Sequence, residues 1–330
     1  MAGKRAGTFI GILQLIVLAA TPELGAAQDR KPVAVTISLQ WFAQPEDGEF
    51  FAAKAEGIYE KYGLDVTIRP GGPQVNIHQL LAAGQTDFTQ GTQMRTLNAR
   101  VSGVPIVTVA AFFQKDPTSI IVHDGSGIDS IAALKGKAIY LPGAARINYW
   151  PWLKGKFGLA DEQIRPYDQS FRALALDRQA SSQGYVTNDA INCGKVQIVC
   201  RSLLLADYGW GAYANTVDTT EKTIQERPEM VRAFVKATHE GWKRYMENPA
   251  RAHALVQQMN PQQDEARISA IHKVMRERGL ADSADTRGGK YGAMSDARWE
   301  SFYREMVAVG ALPPTLEYRK AYTLQFVKDL

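Results

Sequence analysis

The chain reads VAVTISLQWF at residues 33–42 and DFTQGT at residues 87–92. In both stretches an apolar, strand-like run gives way to aromatic or polar residues. Between them we expect a helix over residues 48–62, a strand over residues 64–68, a glycine turn and a short helix. Strands that alternate with helices favour an open parallel sheet, and ligands bind beyond the carboxyl ends of its strands. We therefore expect the binding site at the residues that follow each strand.

Residues 1–27 have the pattern of a secretory signal peptide. Lys4 and Arg5 form a basic start, residues 9–20 are mostly apolar, and residues 25–27 are small enough for cleavage before Gln28. The apolar run is shorter than the roughly 20 residues that span a bilayer. We expect export to the periplasm, with a retained N-terminal anchor as the alternative.

The remaining chain is long enough for two α/β units. Helices and strands alternate again from about residue 119, with later strands expected at residues 183–186 and 196–199, and the pattern turns helical after about residue 217. Two alternating units followed by a helical segment predict two lobes. We expect the chain to cross between the lobes more than once. The net charge of +4 is spread among acids without a basic run, which argues against a nucleic-acid partner.

The cysteine and histidine content excludes a recognisable metal motif. The two cysteines, Cys193 and Cys200, are close enough for a small disulfide loop, but the sequence leaves open whether they bond or stay free thiols. The five histidines are isolated and give no ligand spacing. No nucleophile–base pair or phosphate-binding loop is visible either, so we predict neither catalytic residues nor a cofactor.

Several runs resemble one family of binding proteins. LQWF at residues 39–42, GIYEKYGLDV at 57–66, PGGP at 70–73, QLLAAGQTDF at 79–88 and QGYVTN at 183–188 are similar to the NMT1/THI5-like (SsuA/THI5) solute-binding proteins of ABC transporters. The resemblance implies an α/β, type II periplasmic binding protein with two lobes, a hinge and a cleft. The first lobe would hold residues 28–118 and 217–330, and the second residues 119–216. It also implies an ABC permease of the inner membrane as partner and a monomeric state.

Candidate ligand-binding residues of the first lobe follow its strands. Trp41 matches the family's tryptophan after the first strand and would stack on a ring, although a core tryptophan is the alternative. A helix that begins near Gly48 would turn Glu49 and Phe50 to the cleft, unless Phe50 packs in the core. Three further candidates lie at a strand end leading into a helix, where an ordinary turn is the alternative: Gln90, Gly91 and Thr92.

The second lobe supplies the opposing candidates. Asn188 and Asp189 match the family's Asn-Glu position, with an acid one carbon shorter, and Asp189 would accept hydrogen bonds from a ring amine. A helix N-cap is the alternative for both. The other candidates are aromatic or amide residues near the expected cleft, with a helix cap or hinge packing as alternatives for some of them: Asn148, Tyr149, Tyr185 and Tyr208.

The function that these features predict is a non-catalytic receptor for a flat nitrogen heterocycle. By resemblance the ligand is a thiamine-precursor pyrimidine of the hydroxymethylpyrimidine or formylaminopyrimidine type. One alternative is a receptor for a sulfonate, an aromatic carboxylate or a riboflavin-like ligand, with Arg146 as a possible anion partner. The other is a pyrimidine-synthase-type enzyme, which by resemblance needs a first-loop histidine and a cysteine-rich motif that are both missing here.

Overall fold

The computed structural model describes residues 1–3, 7, 31–72, 74–167 and 170–330. Met1–Lys31 and Pro32–Leu330 are separate compact units, and the architecture below is that of the second. The predicted signal peptide, residues 1–27, lies almost wholly outside the described residues. Among the helices that the structure describes, none is both long and apolar enough to cross a membrane.

Two five-stranded sheets form the frame of the protein. The first has the order β2-β1-β3-β10-β4 and the second the order β7-β6-β8-β5-β9. The strands are β1 (Val33–Ser38), β2 (Leu64–Arg69), β3 (Phe88–Thr92), β4 (Ile106–Phe113), β5 (Thr118–His123), β6 (Ile139–Leu141), β7 (Ile164–Pro166), β8 (Ser181–Tyr185), β9 (Cys200–Leu204) and β10 (Ala214–Thr220).

Both sheets are mixed, whereas the sequence pattern indicated a parallel sheet. β1 pairs in parallel with β2 and β3, and β6 with β7 and β8. β10 is antiparallel to β3 and β4, because it returns from the second sheet and enters the first from the opposite end. The chain crosses to the second sheet between Phe113 and Thr118 and returns between Leu204 and Ala214. Two crossing segments of this kind are the usual hinge of a two-lobed protein.

Helices cover the sheets and fill most of the C-terminal third. They are α1 (Gly48–Ala55), α2 (Ile58–Lys61), α3 (Ile77–Ala82), α4 (Gln93–Val101), α5 (Trp150–Phe157), α6 (Arg172–Leu176), α7 (Asp189–Lys195), α8 (Glu221–Glu226), α9 (Pro228–Glu247), α10 (Ala250–Met259), α11 (Glu265–Glu277) and α12 (Asp296–Ala308).

Three local predictions were wrong in their boundaries. The helix expected over residues 48–62 breaks into α1 and α2, since Gly57 between them has a φ of 69°. The strand expected over residues 87–89, before the polar Gln90-Gly91-Thr92, is observed as β3 and continues through Gln90 to Thr92, because pairing with β10 extends it. The strand expected at residues 196–199 begins only at Cys200.

Close packing of α1 against α9 fixes the start of α1. A Cβ at Gly241 of α9 would lie 2.4 Å from the Glu49 carbonyl oxygen, and one at Gly48 would lie 2.0 Å from the Tyr245 ring. The Phe50 ring stacks with that of Phe234, with centroids 6.4 Å apart, in the core of the first lobe. These contacts hold the residues just before α1 in a defined position at one edge of the first sheet.

The helix α12 packs on the second lobe, although it follows the helices of the first. The Trp152 indole nitrogen donates to Glu305 at 2.7 Å, and the rings of Trp210 and Phe302 meet edge to face at 5.1 Å. Within the second lobe, Cys193 of α7 and Cys200 of β9 form a disulfide, which settles the question that the sequence left open.

Candidate ligand-binding cleft

Three carboxylic acids lie buried just after β1, where the chain enters α1. Glu46 and Asp47 are each 1% exposed and Glu49 is fully buried. Pro45 begins a short 3-10 turn through Asp47 that runs directly into α1, so the three acids follow one another closely. The sequence interpretation included Glu49 but missed Glu46 and Asp47. The run Pro-Glu-Asp-Gly-Glu directly beyond a strand is the signal that would have identified them.

Amide side chains from the neighbouring strands bind these acids. The Gln90 side-chain amide donates to Asp47 Oδ1 at 2.5 Å and also to Asn215 Oδ1. The Asn215 amide donates to Glu49 Oε1 at 2.7 Å and to the Glu46 carbonyl oxygen at 2.8 Å. Asn215 has a φ of 48° at an irregularity in the β10 pairing, and such bulges redirect a side chain. The bulge therefore aims Asn215 at the acids.

Burial favours the neutral form of all three acids. It raises the pKa of Glu46 and raises the pKa values of Asp47 and Glu49 well above the usual range, with the neighbouring acid adding to each of the latter two. One oxygen of each acid is buried without a hydrogen-bond partner among the described residues: Glu46 Oε2, Asp47 Oδ2 and Glu49 Oε2. A protonated carboxyl can donate one hydrogen bond and accept others, which suits a neutral polar guest.

Glu46 also joins the two lobes. Its Oε1 accepts from Thr187 Oγ1 at 2.5 Å and from Asn188 Nδ2 at 2.8 Å, both in the loop after β8. Arg267 of α11 in turn donates to Asn188 Oδ1. The loop after β1 therefore faces the loop after β8, and the cleft runs between these two carboxyl strand ends.

Tyr185 lies at the end of β8 in this cleft. Burial raises its pKa well above the usual range, and the charges of Asp116, Glu46 and Asp47 add to that effect. The positive charge of Arg95, in the first turn of α4, opposes this effect and lowers the pKa of Tyr185. The interpretation from sequence included Tyr185 but missed Arg95. A charged residue in the first turn of a helix that follows a central strand is the signal for it.

His78 extends the same face of the first lobe. It lies in the first turn of α3, and burial together with the charge of Arg95 lowers its pKa to about 4. Its Nε2 atom is buried without a partner among the described residues. The sequence interpretation treated His78 as isolated because the histidines show no metal-ligand spacing, and it had no signal for Arg95, which is 17 residues away in sequence.

The other first-lobe candidates have mixed outcomes. Trp41 is half-buried and belongs to none of the buried core clusters, and its ring meets Phe42 edge to face. Phe50 lies in the core, as the alternative reading had it, and is removed from the site. A Cβ at Gly91 would lie 2.2 Å from Asp218 Oδ2. This close packing explains the glycine, and approach of a ligand is not needed to explain it. Thr92 caps α4 by accepting from the Arg95 amide at 3.5 Å.

Asp189 does not have the role that the sequence predicted. Its Oδ1 accepts from the Tyr185 amide at 2.7 Å, and its Oδ2 accepts from Ser119 and Ser202 Oγ, each at 2.6 Å. Asp189 is 1% exposed, so both oxygens are occupied inside the second lobe. Asp189 thereby links the start of α7 to β5, β8 and β9. Its neighbour Asn188 is the residue that contacts Glu46 in the cleft.

The remaining second-lobe candidates lie around or away from the cleft. Tyr149 is buried and donates to Gln183 Oε1 at 2.5 Å, while the side-chain oxygen of Asn148 is buried without a partner among the described residues. Tyr208 is removed from the site, because its hydroxyl donates to the Asp129 carbonyl and its ring meets Phe157, both in the second lobe.

A groove of about 550 Å³ lies elsewhere, between α5 and the end of α12. Its lining includes Arg146, Trp150, Lys154, Asp161 and Val309. The Asp161 carboxylate there is already bound by Lys154 and by the Trp150 indole, each at 2.6 Å. In the described part of the chain no group of three or more His, Cys, Asp or Glu side chains is placed to hold a metal ion. The cleft is therefore the better candidate site.

Comparison with known proteins gives a consistent picture. A family model described as NMT1/THI5 like matches residues 44–252. The riboflavin-binding protein RibY of Chloroflexus aurantiacus is 25% identical over 94% of this chain and 91% of its own length. A 4-amino-5-hydroxymethyl-2-methylpyrimidine phosphate synthase of Legionella pneumophila is 23% identical over 69% of this chain and 74% of its own.

Solved structures share the fold. The periplasmic aliphatic sulphonate binding protein SsuA of Escherichia coli aligns with a TM-score of 0.66 and 15% identity, over 88% of this chain and 92% of its own. At this identity the likeness concerns the fold alone, which is the type II periplasmic binding fold that the sequence predicted.

Proposed function

The chain belongs to the NMT1/THI5 like family, and from this membership we propose that it is the solute-binding component of an ABC importer for a flat nitrogen heterocycle. The observation that carries the proposal is the convergence of amide side chains on buried acids with raised pKa values where the two lobes meet, a few residues after the half-buried Trp41. The ring stacks on Trp41, and polar groups along the cleft bind its edges as the lobes close.

The buried acids support a neutral guest over an anionic one. Glu46, Asp47 and Glu49 hold raised pKa values, and an anion placed beside them would raise those values further or be repelled. Ring nitrogens, ring amines and carbonyl groups can instead exchange hydrogen bonds with protonated carboxyls and amides. This favours a pyrimidine or a larger fused heterocycle over an aliphatic sulfonate.

Two heterocycles are the leading candidates. The family motifs of the sequence point to a thiamine-precursor pyrimidine, and a relative that spans nearly the whole chain carries the name of a riboflavin-binding protein. Both ligands are flat and nitrogen-rich, so both fit an aromatic platform edged with amides. We propose the pyrimidine as the first choice and a riboflavin-like ligand as the second.

We place the protein in the periplasm, where it delivers its ligand to an inner-membrane permease. The basic and apolar leader at residues 1–27 supports export. The disulfide between Cys193 and Cys200 supports it independently, since such bonds persist mainly in oxidising compartments.

A pyrimidine-synthase activity is the competing function, because several relatives carry that name. The synthase resemblance calls for a cysteine-rich motif, whereas this chain has two cysteines, and they are joined in a disulfide. We propose binding without chemistry. Pyridoxal phosphate added to the pure protein should give no new visible band, and a stable band would favour the enzyme.

The proposal is tested by titrating the purified protein with 4-amino-5-hydroxymethyl-2-methylpyrimidine, riboflavin and an alkanesulfonate in a calorimeter. We expect saturable binding of at least one heterocycle and none of the sulfonate. Trp41→Ala should weaken that binding by roughly 10- to 100-fold, since stacking on an aromatic side chain contributes about 1–3 kcal/mol.

Tyr318→Ala is the matched control. Tyr318 is a half-buried aromatic residue whose ring stacks on Tyr303 at 4.4 Å, against a core cluster that includes no residue of the loop after β1. Its loss should leave affinity within about twofold. Absence of binding by every heterocycle would contradict the proposal. Binding that survives Trp41→Ala unchanged would remove the stacking role.

A further inference from the structure

The guanidinium of Arg95 is an unused donor group within the cleft. Arg95 is half-buried in the first turn of α4, directly beyond β3. Its charge interacts with Tyr185 of the second lobe. Among the residues that the structure describes, its side chain donates no hydrogen bond and forms no ion pair. A guanidinium carries five N–H donors in a planar fork, and none of the Arg95 nitrogens is among the buried unpaired atoms of the described residues, so these donors are accessible to a ligand.

Two further polar groups beside Arg95 also lack partners. The Tyr185 hydroxyl makes no hydrogen bond with any described residue, although the Tyr185 amide is bound by Asp189. The buried Nε2 of His78 likewise has none. His78 of α3, Arg95 of α4 and Tyr185 of β8 therefore present unpaired polar atoms to one region. Both lobes contribute residues to this region.

Acidic side chains already lie near Arg95 without a ligand. Asp116 and Asp218 both lie within electrostatic range of its guanidinium. Their oxygens are occupied by other donors: Asp116 binds the Thr118 amide and the Trp210 indole, and Asp218 binds threonine hydroxyls, including that of Thr108 at 2.7 Å. Arg95 thus lacks hydrogen-bond acceptors but does not lack countercharge.

We propose that Arg95 binds a pair of adjacent acceptor atoms on the edge of the ligand ring, with Tyr185 and His78 completing the recognition of that edge. The inference rests on the proposed function. It names the residues of the cleft that would determine which ligand is bound. A carbonyl oxygen next to a ring nitrogen, as in riboflavin, offers such a pair, and so does a carboxylate on the ring. The hydroxymethylpyrimidine offers only separate ring nitrogens, so Arg95 would bind it through a single hydrogen bond. The planar fork matches either arrangement in two parallel hydrogen bonds.

The test compares three probes on wild-type protein and on Arg95→Met: riboflavin and 4-amino-5-hydroxymethyl-2-methylpyrimidine as neutral rings, and orotate as a ring carboxylate. Arg95→Met should raise the Kd of riboflavin or orotate, if it binds, by about 10- to 100-fold, the value for hydrogen bonds to a charged group, and the Kd of the pyrimidine by less, since one hydrogen bond is lost there. Arg287→Met is the matched control, since Arg287 is exposed and lies outside the cleft elements. It should leave every Kd within about twofold.

Tyr185→Phe provides a second variant that removes a single hydroxyl and should weaken binding several-fold. Circular dichroism and thermal unfolding check that each variant is folded. A loss confined to orotate identifies the acceptors as a carboxylate, and a loss with a neutral ring identifies them as ring atoms. Wild-type binding that neither variant changes would overturn this inference while leaving the proposed function intact. Failure of wild-type protein to bind any heterocycle would instead overturn the proposed function.

Discussion

Replacing Asp189 by alanine separates a structural role from a ligand-binding role. The family motif predicts that the Asp189 carboxylate accepts hydrogen bonds from a ring amine. The structure instead has it accept three hydrogen bonds within the second lobe, from the Tyr185 amide and from the hydroxyls of Ser119 and Ser202. Asp189→Ala should therefore destabilise the fold first, and affect binding only through that loss.

The magnitude follows from these three contacts. Leaving a buried donor unpaired costs about 1–3 kcal/mol. The two serine hydroxyls can rotate towards other acceptors, but the Tyr185 amide is fixed by the backbone. Burial raises the pKa of Asp189, so removing the acid also relieves part of the cost of ionising it. We expect a net loss of about 2–4 kcal/mol and a Tm lower by on the order of 10 °C.

The assay is thermal and urea unfolding of the variant, followed by calorimetric titration of the folded protein well below its Tm. Asp207→Ala is the matched control, because Asp207 is exposed in a short turn of the same lobe. It should change stability by less than about 0.5 kcal/mol. Unchanged stability of Asp189→Ala, combined with a tenfold or larger loss of affinity for an amine-bearing pyrimidine only, would refute the structural role.

Three further predictions concern stability. Replacing Cys193 and Cys200 by serine should lower the free energy of unfolding by about 2–3 kcal/mol, through lost loop closure; an unchanged urea midpoint would argue against this. The pKa of His78 is lowered to about 4, so its neutral form is favoured in the fold and the protein loses stability as the pH falls from about 6.5 to about 4. His78→Gln should remove up to about 3 kcal/mol of that acid-induced loss, seen as a smaller drop in Tm between pH 7 and pH 4, and equal drops would contradict it. Gly241→Ala should cost about 1–3 kcal/mol or more, because its Cβ would lie 2.4 Å from a backbone oxygen of α1, whereas Gly194→Ala, with open space around it, should be close to neutral; equal unfolding midpoints would refute the packing argument.

Local patterns in the sequence predicted two α/β lobes but not the mixed character of their sheets. Period-two strands and glycine-ended helices predicted the alternation that builds both lobes, and the motifs from residue 39 to residue 88 indicated the family. The antiparallel course of β10 was not predictable in this way. It depends on where the chain re-enters the first sheet, and this long-range pairing leaves no local pattern.

Sequence reasoning named candidates mainly at strand ends and within the family motifs. Trp41 and Tyr185 meet both conditions, whereas no motif includes Arg95 or His78, which lie in the first turns of α4 and α3. Asp189 was misassigned because a motif gives residue type without side-chain direction. Its orientation depends on Ser119 and Ser202, which are 70 and 13 residues away in sequence.

The most direct test of the central claim is a crystal structure of the protein grown with a heterocycle that binds it in calorimetry. We predict an unaltered ring between the lobes, stacked on Trp41, with two of its edge acceptors bound by Arg95. A ring seated instead in the groove at Trp150 and Lys154, or density for a chemically converted product, would contradict the account.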